Sequence, residues 1–182
     1  IEDFRNFIKG DTEAVEFDIK DTIKNFLKLV TSTIKDEDIK IELELEKETK
    51  LIGYPNELIQ CLLNFFNNAK DAFITNNIPH AQRFINISNE LHEDSVILMF
   101  QDNAGGIPED IIGKIFEPYF TTKHKFQGTG LGLHMSYNLI VHGMQGSLKV
   151  KNETFTHKEE TCHGAKFIVE LPRTLPVLST RI

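Results

Sequence analysis

Apolar residues along the chain recur with two distinct periods, and the switches between them mark the elements. Ile1, Phe4 and Ile8 stand at helical spacing with Gly10 after them as a C-cap, the pattern of a helix tail. Val15, Phe17 and Ile19 alternate as a short strand. Asp21-Thr22 then opens a helix whose apolar positions Ile23, Phe26, Leu27, Val30 and Ile34 follow in threes and fours. Ile39, Ile41, Leu43 and Leu45 alternate with charged residues, which predicts a strand with one wet face, and residues 51–53 add a second short strand. The longest helical pattern starts at Tyr54-Pro55-Asn56 and runs to about Ile74.

Beyond the turn-like Asn76-Asn77-Ile78-Pro79, residues 83–91 and 95–102 alternate as a hairpin with His92-Glu93-Asp94 at its tip. Residues 103–130 are rich in Gly, Pro, Thr and Lys and hold only a short helical stretch near 108–112. A loop of more than ~12–15 residues inside a compact domain is usually functional or disordered, so this one is singled out by length alone. A helix over 131–142 follows, then strands near 147–152 and 165–171, and an irregular tail from Pro172. Strands and helices mixed without strict alternation predict an α/β (α+β) two-layer sandwich rather than a doubly wound parallel sheet.

At 182 residues, 40% of them hydrophobic, with fourteen Phe and no Trp, the chain has the material for one well-packed domain. Its formal charge of -7 argues against a nucleic-acid or anionic-membrane surface. A polyanionic ligand must therefore be held by backbone N–H groups, a metal ion or a few placed cations. Cys61 and Cys162, a hundred residues apart, have neither metal-ligand spacing nor the number for a disulfide scaffold, which points to a reducing compartment. No run of ~18 uncharged apolar residues and no signal-peptide layout is present. The expectation is a soluble cytoplasmic chain which, beginning without Met, is a fragment whose parent has room for a membrane anchor.

Three segments carry candidate chemistry. Placed at about 100° per residue, Leu58, Ile59, Leu62, Leu63, Phe65, Phe66, Ala69, Ala72 and Phe73 fill roughly half of the long helix's circumference. Glu57, Gln60, Asn64, Asn67, Asn68 and Asp71 gather in an arc of roughly 100° opposite. A solvated face is one reading of that arc. Its ordinary composition is Lys, Glu and Arg, however, whereas Asn competes with the helix backbone. Amide oxygens in adjacent turns suit a hard cation, so Asn64 and Asn68 are the metal-side candidates. Asp102-Asn103-Ala104-Gly105-Gly106-Ile107-Pro108, directly after a strand, reads either as an ordinary turn or as a base site. In the second reading a carboxylate at the strand end accepts from an adenine amine and the glycines let the backbone approach the base. Gly128-Thr129-Gly130-Leu131-Gly132 resembles a phosphate-binding turn before a helix, a weak signal alone. With no Lys-Ser or Lys-Thr after it, and no dinucleotide strand before it, neither a Walker loop nor a dinucleotide fold fits.

Taken in order, NFFNNAKDAF, DNAGGIP, IFEPYFTTK and GTGLGL resemble the N-box, first glycine box, F-box and second glycine box of the histidine kinase catalytic domain, and the resemblance covers about residues 11–171. The wider family includes gyrase-type, Hsp90-type and mismatch-repair ATPases. The resemblance implies a Bergerat-type sandwich, a mixed sheet on a layer of about three helices, with an ATP lid at about 114–127. It implies ATP and Mg²⁺ as ligands, with Asn68 as the metal ligand, Asp71 beside it, and Asn64 lining the triphosphate as a catalytic candidate. Asp102 matches the adenine-binding Asp, and Gly105, Gly106 and Ile107 the first glycine box. Phe116, Phe120, Thr121 and Thr122 fall in the F-box, and Gly128, Thr129, Gly130, Leu131, Gly132 and Leu133 in the turn that meets the phosphates. Lys123 is either a cation for the β or γ phosphate or, like Lys125, a solvated lid residue.

The same resemblance implies the reaction: transfer of the ATP γ-phosphoryl group to a histidine on a dimerisation domain, for relay to a response regulator receiver domain. Residues 1–10 would be the tail of the second dimerisation helix and 172–182 a C-terminal tail. The full-length protein would be a homodimer and this piece a monomer, with no nucleic-acid partner. Hydrolytic members of the superfamily carry a basic Glu four residues before the metal-binding Asn. Here that position is Asn64, and an amide takes no proton at neutral pH. None of the seven His fits the acceptor: His92 is at a hairpin tip, His134 and His142 are in or at the end of a short helix, and His80, His124, His157 and His163 read as loop residues. A second hypothesis stays open, a nucleotide-sensing module that binds ATP and catalyses nothing.

Overall fold

A computed structural model of the chain describes residues 13–121 and 130–175. The short strand β1 (Val15–Asp18) pairs antiparallel with β3 (Lys50–Gly53) in a two-stranded sheet. Asp18 ends β1 and caps helix α1 (Ile19–Asp36), its Oδ1 accepting from the Lys20 N–H at 2.7 Å. The helix therefore starts ahead of the Asp21-Thr22 signal, because a carboxylate at the strand end satisfies its first orphan donors. Helix α2 (Pro55–Thr75) opens with Pro at its first position and buries Leu58, Ile59, Cys61, Leu62, Phe65, Phe66, Ala69 and Phe73, as its periodicity predicts.

The main sheet holds β2 (Lys40–Glu44), β4 (Phe84–Leu91), β5 (Ser95–Asp102), β6 (Ser147–His157) and β7 (Glu160–Pro172), in the order β2-β4-β5-β7-β6. The β2–β4 pair is parallel and the other three are antiparallel, so the sheet is mixed. One face of it carries the helical layer. Phe65 of α2 stacks on Phe167 of β7 with centroids 4.5 Å apart and meets Phe100 of β5 at 5.9 Å, while Phe26 of α1 meets Phe66 edge-on at 6.0 Å. Each such ring, fully buried, contributes roughly 1.5–3 kcal/mol; the Phe65 contacts tie the helical layer to the sheet, and the Phe26–Phe66 contact ties the two helices to each other. The third helix, α3 (Gly132–Tyr137), runs on without a break into a π-helical segment, Asn138–Gly143.

Three local expectations are corrected. The stretch 108–112 is not a helix of its own: residues 109–111 form a turn that leads into one 3-10 turn at Ile112–Lys114. Residues 153–157 and 160–164, which lack an apolar stripe, are strand: β6 and β7 extend into a long hairpin, and His157 and His163 belong to strands rather than loops. The turn that closes it, Lys158-Glu159, holds both residues at positive φ, 48° and 69°, the mirror-image geometry that fits strand twist. Gly and Asn are the usual residues there, so the sequence gives no turn signal. The hairpin curls so that Phe155 and His157 cover Phe84 of β4, with centroids 6.3 and 4.0 Å away. The segment 1–10 lies outside the described residues, as do 176–182 of the tail.

Candidate functional site

The polar face of α2 meets α3 through Asn64. Its Nδ2 donates to the Gly132 carbonyl and to Ser136 Oγ, both at 2.9 Å, and Ser136 Oγ donates to the same carbonyl at 3.0 Å. Ser136 is fully buried. The triangle fixes the first turn of α3, and with it the second glycine box, against the N-box helix. One turn on, Asn68 Nδ2 donates to the Asn64 carbonyl at 2.8 Å. That bond commits the N–H end of the amide to the helix and leaves Oδ1 as its acceptor. Asp71 lies on the same half-buried face, 3.9 Å from the Lys70 ammonium.

Asp102 is the last residue of β5 and is 3% exposed. Its Oδ1 accepts from the N–H of Ala104 at 2.9 Å and of Ala165 at 3.1 Å. Burial pushes its carboxyl up from the ordinary 3.8 to about 6, against those two N–H groups, which pull it down. The loop after it is held residue by residue. Asn103 Oδ1 accepts from the Phe84 N–H at 2.9 Å, and Asn76 Nδ2 donates to the Ala104 carbonyl at 2.6 Å. The Gly105 N–H donates to the His163 carbonyl at 3.0 Å. Gly105 and Gly106 stand at φ +96° and +82°, the left-handed region, where any other residue would be strained. Ile107 packs on the core and pairs with Asn152 of β6, donating its N–H to Asn152 Oδ1 (2.8 Å) and accepting from Nδ2 (2.7 Å).

Phe116 and Phe120 also pack on the core, Phe116 lying 5.6 Å from the Tyr137 ring of α3. His134 ties the two segments. Its Nδ1–H donates to the Phe116 carbonyl at 3.0 Å and its Nε2 accepts from Asn138 Nδ2 at 3.0 Å; a carbonyl only accepts, which fixes the tautomer. Gly130, at φ +67°, lies against the main chain of Tyr119, so the two ends of the intervening loop touch. Thr121 is the last described residue before that loop, Leu131 precedes α3, and Leu133 packs on the core. Thr122, Lys123, Gly128 and Thr129 lie outside the described residues, as does most of the expected lid.

The described site residues thus fall in two groups, Asn64 and Asn68 of α2 with the start of α3, and Asp102 with the glycine loop at the end of β5, joined where Asn76 beyond the end of α2 donates to the Ala104 carbonyl. Sequence reasoning missed Asn76, Ser136, Asn152, Gly164 and Ala165, which support the site from distant positions in the chain. No local signal marks them. A surface cavity of ≈350 Å³, lined among others by Glu16, Lys50, Glu93 and Arg173, shares no residue with this cluster, so chemistry rather than concavity locates the site. Cys61 is no rival nucleophile, because burial pushes its thiol up to about 12. Among the described residues no helix is long and apolar enough to cross a membrane, and no cluster of three His, Cys, Asp or Glu could hold a metal.

Residues 53–175 match the family described as histidine kinase-, DNA gyrase B-, and HSP90-like ATPase. The chain is 33% identical over 171 residues to the two-component sensor PprA of Pseudomonas aeruginosa, covering 92% of itself and 18% of that protein. It is 36% identical over 137 residues to the sensor histidine kinase ZraS of Salmonella typhimurium, 74% of the chain and 27% of ZraS. Against sporulation kinase B of Bacillus subtilis the figures are 26% over 164 residues, 90% of the chain and 35% of the kinase. The chain therefore spans about a third or less of the curated relatives it matches. The solved catalytic domain of histidine kinase ThkA superposes with a TM-score of 0.73 at 27% identity, over 90% of this chain and 97% of that one. The mycobacterial sensor histidine kinase MprB shares the fold, with a TM-score of 0.69 at 21% identity over 90% and 99% of the two chains. With the boxes in order and the mixed sheet under about three helices, the chain belongs to the histidine kinase-, DNA gyrase B- and HSP90-like ATPase family, and within it is similar to the catalytic domains of sensor histidine kinases.

Proposed function

We propose that this domain binds Mg-ATP and delivers its γ-phosphoryl group to a histidine on a dimerisation domain of the same protein, for relay to a response regulator receiver domain. The observation that carries the reading is the Asn64 triangle. An amide stands where hydrolytic relatives carry a base, and both its N–H groups are engaged in holding the second glycine box against α2. It positions phosphates and leaves water without a proton acceptor. A neutral imidazole needs no such base, because its nitrogen attacks through a lone pair as the bond to the departing ADP oxygen breaks.

In this reading the adenine amine donates to Asp102, the glycine backbone flanks the base, and Gly130 and Gly132 bring N–H groups to the phosphates. Mg²⁺, if held by Asn68 Oδ1 and the phosphate oxygens, offsets phosphate charge. A site with one protein oxygen and several other ligands suits that ion, and the bond from Asn68 Nδ2 to Asn64 orients the amide for it. Lys123 would add a cation from the lid. Since ATP is the substrate, the domain works in the cytoplasm, in a homodimeric parent. The solved complex of ThkA with the response regulator TrrA supports a receiver domain as the onward partner.

Label from γ-³²P-ATP tests the reading. The chain alone should take up no acid-labile phosphate, since none of its described His residues lies on a long helix of a dimerisation type. A separately made dimerisation domain carrying the acceptor His should become labelled, slowly, because two free fragments lack the effective concentration of a tether. Firm ATP binding with no transfer to any acceptor would instead favour the nucleotide-sensing module.

A further inference from the structure

The long β6–β7 hairpin lies against the base-side loop along three successive rungs. The Asn152–Ala165 rung supplies the Ala165 N–H to Asp102 and the Asn152 amide to Ile107. The Glu153–Gly164 rung supplies a glycine that lies on the Asp102 main chain, while Glu153 accepts from Gln101 Nε2 at 2.9 Å. The Thr154–His163 rung supplies the carbonyl that takes the Gly105 N–H. Of these contacts only one is made by a side chain reaching across to the glycine loop. Asn152 pairs both backbone groups of Ile107, as a strand neighbour would, and its Nδ2 also reaches Glu109 Oε1 at 3.0 Å. Its Oδ1 also lies where a Cβ on Gly106 would stand 2.8 Å away, so the amide borders the second glycine of the loop directly.

We infer that Asn152 is a positioning residue for base recognition. By locking Ile107 to β6, it holds Gly105 and Gly106 at the distance from Asp102 that fits adenine and rejects guanine. The inference rests on the reading of Asp102 as the adenine acceptor. Its chemistry is two-sided: the clamp needs one acceptor, for the Ile107 N–H, and one donor, for the Ile107 carbonyl. Of side chains of this size and shape, only an amide offers both. Asn76, donating to the Ala104 carbonyl, braces the other end of the same loop.

The test compares N152A and N152D with the unaltered chain, measuring calorimetric affinities for ADP, GDP and inorganic tripolyphosphate. N152D preserves shape but sets a carboxylate against the Ile107 carbonyl and Glu109. In both variants ADP should bind roughly tenfold more weakly, a loss of about 1.4 kcal/mol, with the ADP-over-GDP preference reduced and tripolyphosphate binding unchanged. Exchange of the Gly105–Ile107 amides should speed up in parallel. Unchanged ADP affinity and preference in N152A would overturn the inference, and so would an N152D that behaves like the parent, since that marks a space-filling role. Should N152A fail to fold, N152D alone decides, and a near-parental Tm is the check that it folds. D102N serves as the separate control: if it leaves ADP affinity intact, the reading of Asp102 fails, whatever Asn152 does.

Discussion

Gly164, within β7, rests on the main chain of Asp102 at the end of β5, where a Cβ on the glycine would overlap the aspartate's carbonyl. The neighbouring Ala165 donates its N–H to the Asp102 carboxylate at 3.1 Å. A glycine on β7 thus allows the close approach that brings a backbone donor to the buried acid of the candidate site.

Gly164→Ala should therefore part β7 from the end of β5. Overpacking of this kind costs about 1–3 kcal/mol, and the Ala165 bond to Asp102 lengthens with it. The urea midpoint should drop at unchanged m-value, and ADP affinity should fall more than tripolyphosphate affinity. Equal stability of variant and parent would show that the strands separate freely there.

Ser136→Ala removes one corner of the Asn64 triangle and leaves an Asn64 N–H without its partner in a buried place. The expected loss is roughly 1–3 kcal/mol, read from denaturant unfolding. Because the triangle carries the second glycine box, phosphate affinity should suffer while adenosine affinity stays near parental. A variant that weakens both ligands alike would argue that the serine supports the fold in general rather than the glycine turn.

Much of this architecture was legible in the chain because it is written locally. The stripe of Leu58, Leu62, Phe65, Phe66 and Phe73 fixes α2 and its buried face, and the strand β5 ending on Asp102 follows from plain alternation. The polar arc with Asn64 and Asn68 and the glycines 105 and 106 mark the candidate site for the same reason: each carries a local cost that a bland surface does not need. The hairpin beyond Asn152 was not legible. Its turn, Lys158-Glu159, takes positive φ without Gly or Asn, and its partners, Phe84 and Ile107, lie far away in sequence. Supporting residues such as Ser136, through a buried hydroxyl, and Ala165, through its backbone N–H, act on partners far away in sequence, and no local pattern singles them out.

Asn68→Ala bears on the metal. With the amide gone, the Mg²⁺-dependent part of ADP affinity should shrink while the metal-free affinity, measured in EDTA, stays near that of the parent. The direction follows from the loss of one oxygen ligand from an ion that tolerates few substitutes. An ADP affinity that responds to Mg²⁺ as strongly in the variant as in the parent would remove Asn68 from the metal's shell.

Asp102 gives the domain a pH dependence whose sign is fixed by burial. Its carboxyl titrates near about 6 in the fold, above the ordinary 3.8, so between those values the folded state holds a proton that the unfolded chain has released. Its contribution to stability is fully present below about pH 4 and is lost as pH rises through about 6, by a few kcal/mol at ~1.4 kcal/mol per pKa unit. Asp102→Asn keeps an oxygen for the Ala104 and Ala165 N–H groups and removes the charge. The variant should match the parent in urea midpoint at pH 4 and exceed it at pH 7.5. Nucleotide should respond in the opposite sense: an adenine amine donates best to the ionised carboxylate, so ADP affinity of the parent should fall as pH drops below about 6. At pH 7.5 the variant, presenting a donor to a donor, should bind ADP weaker by one to two powers of ten, as loss of a charged hydrogen bond of ~1.5–3 kcal/mol requires. A stability gap between parent and variant that is the same at both pH values would mean that the carboxylate is solvated, and would withdraw it from the base site.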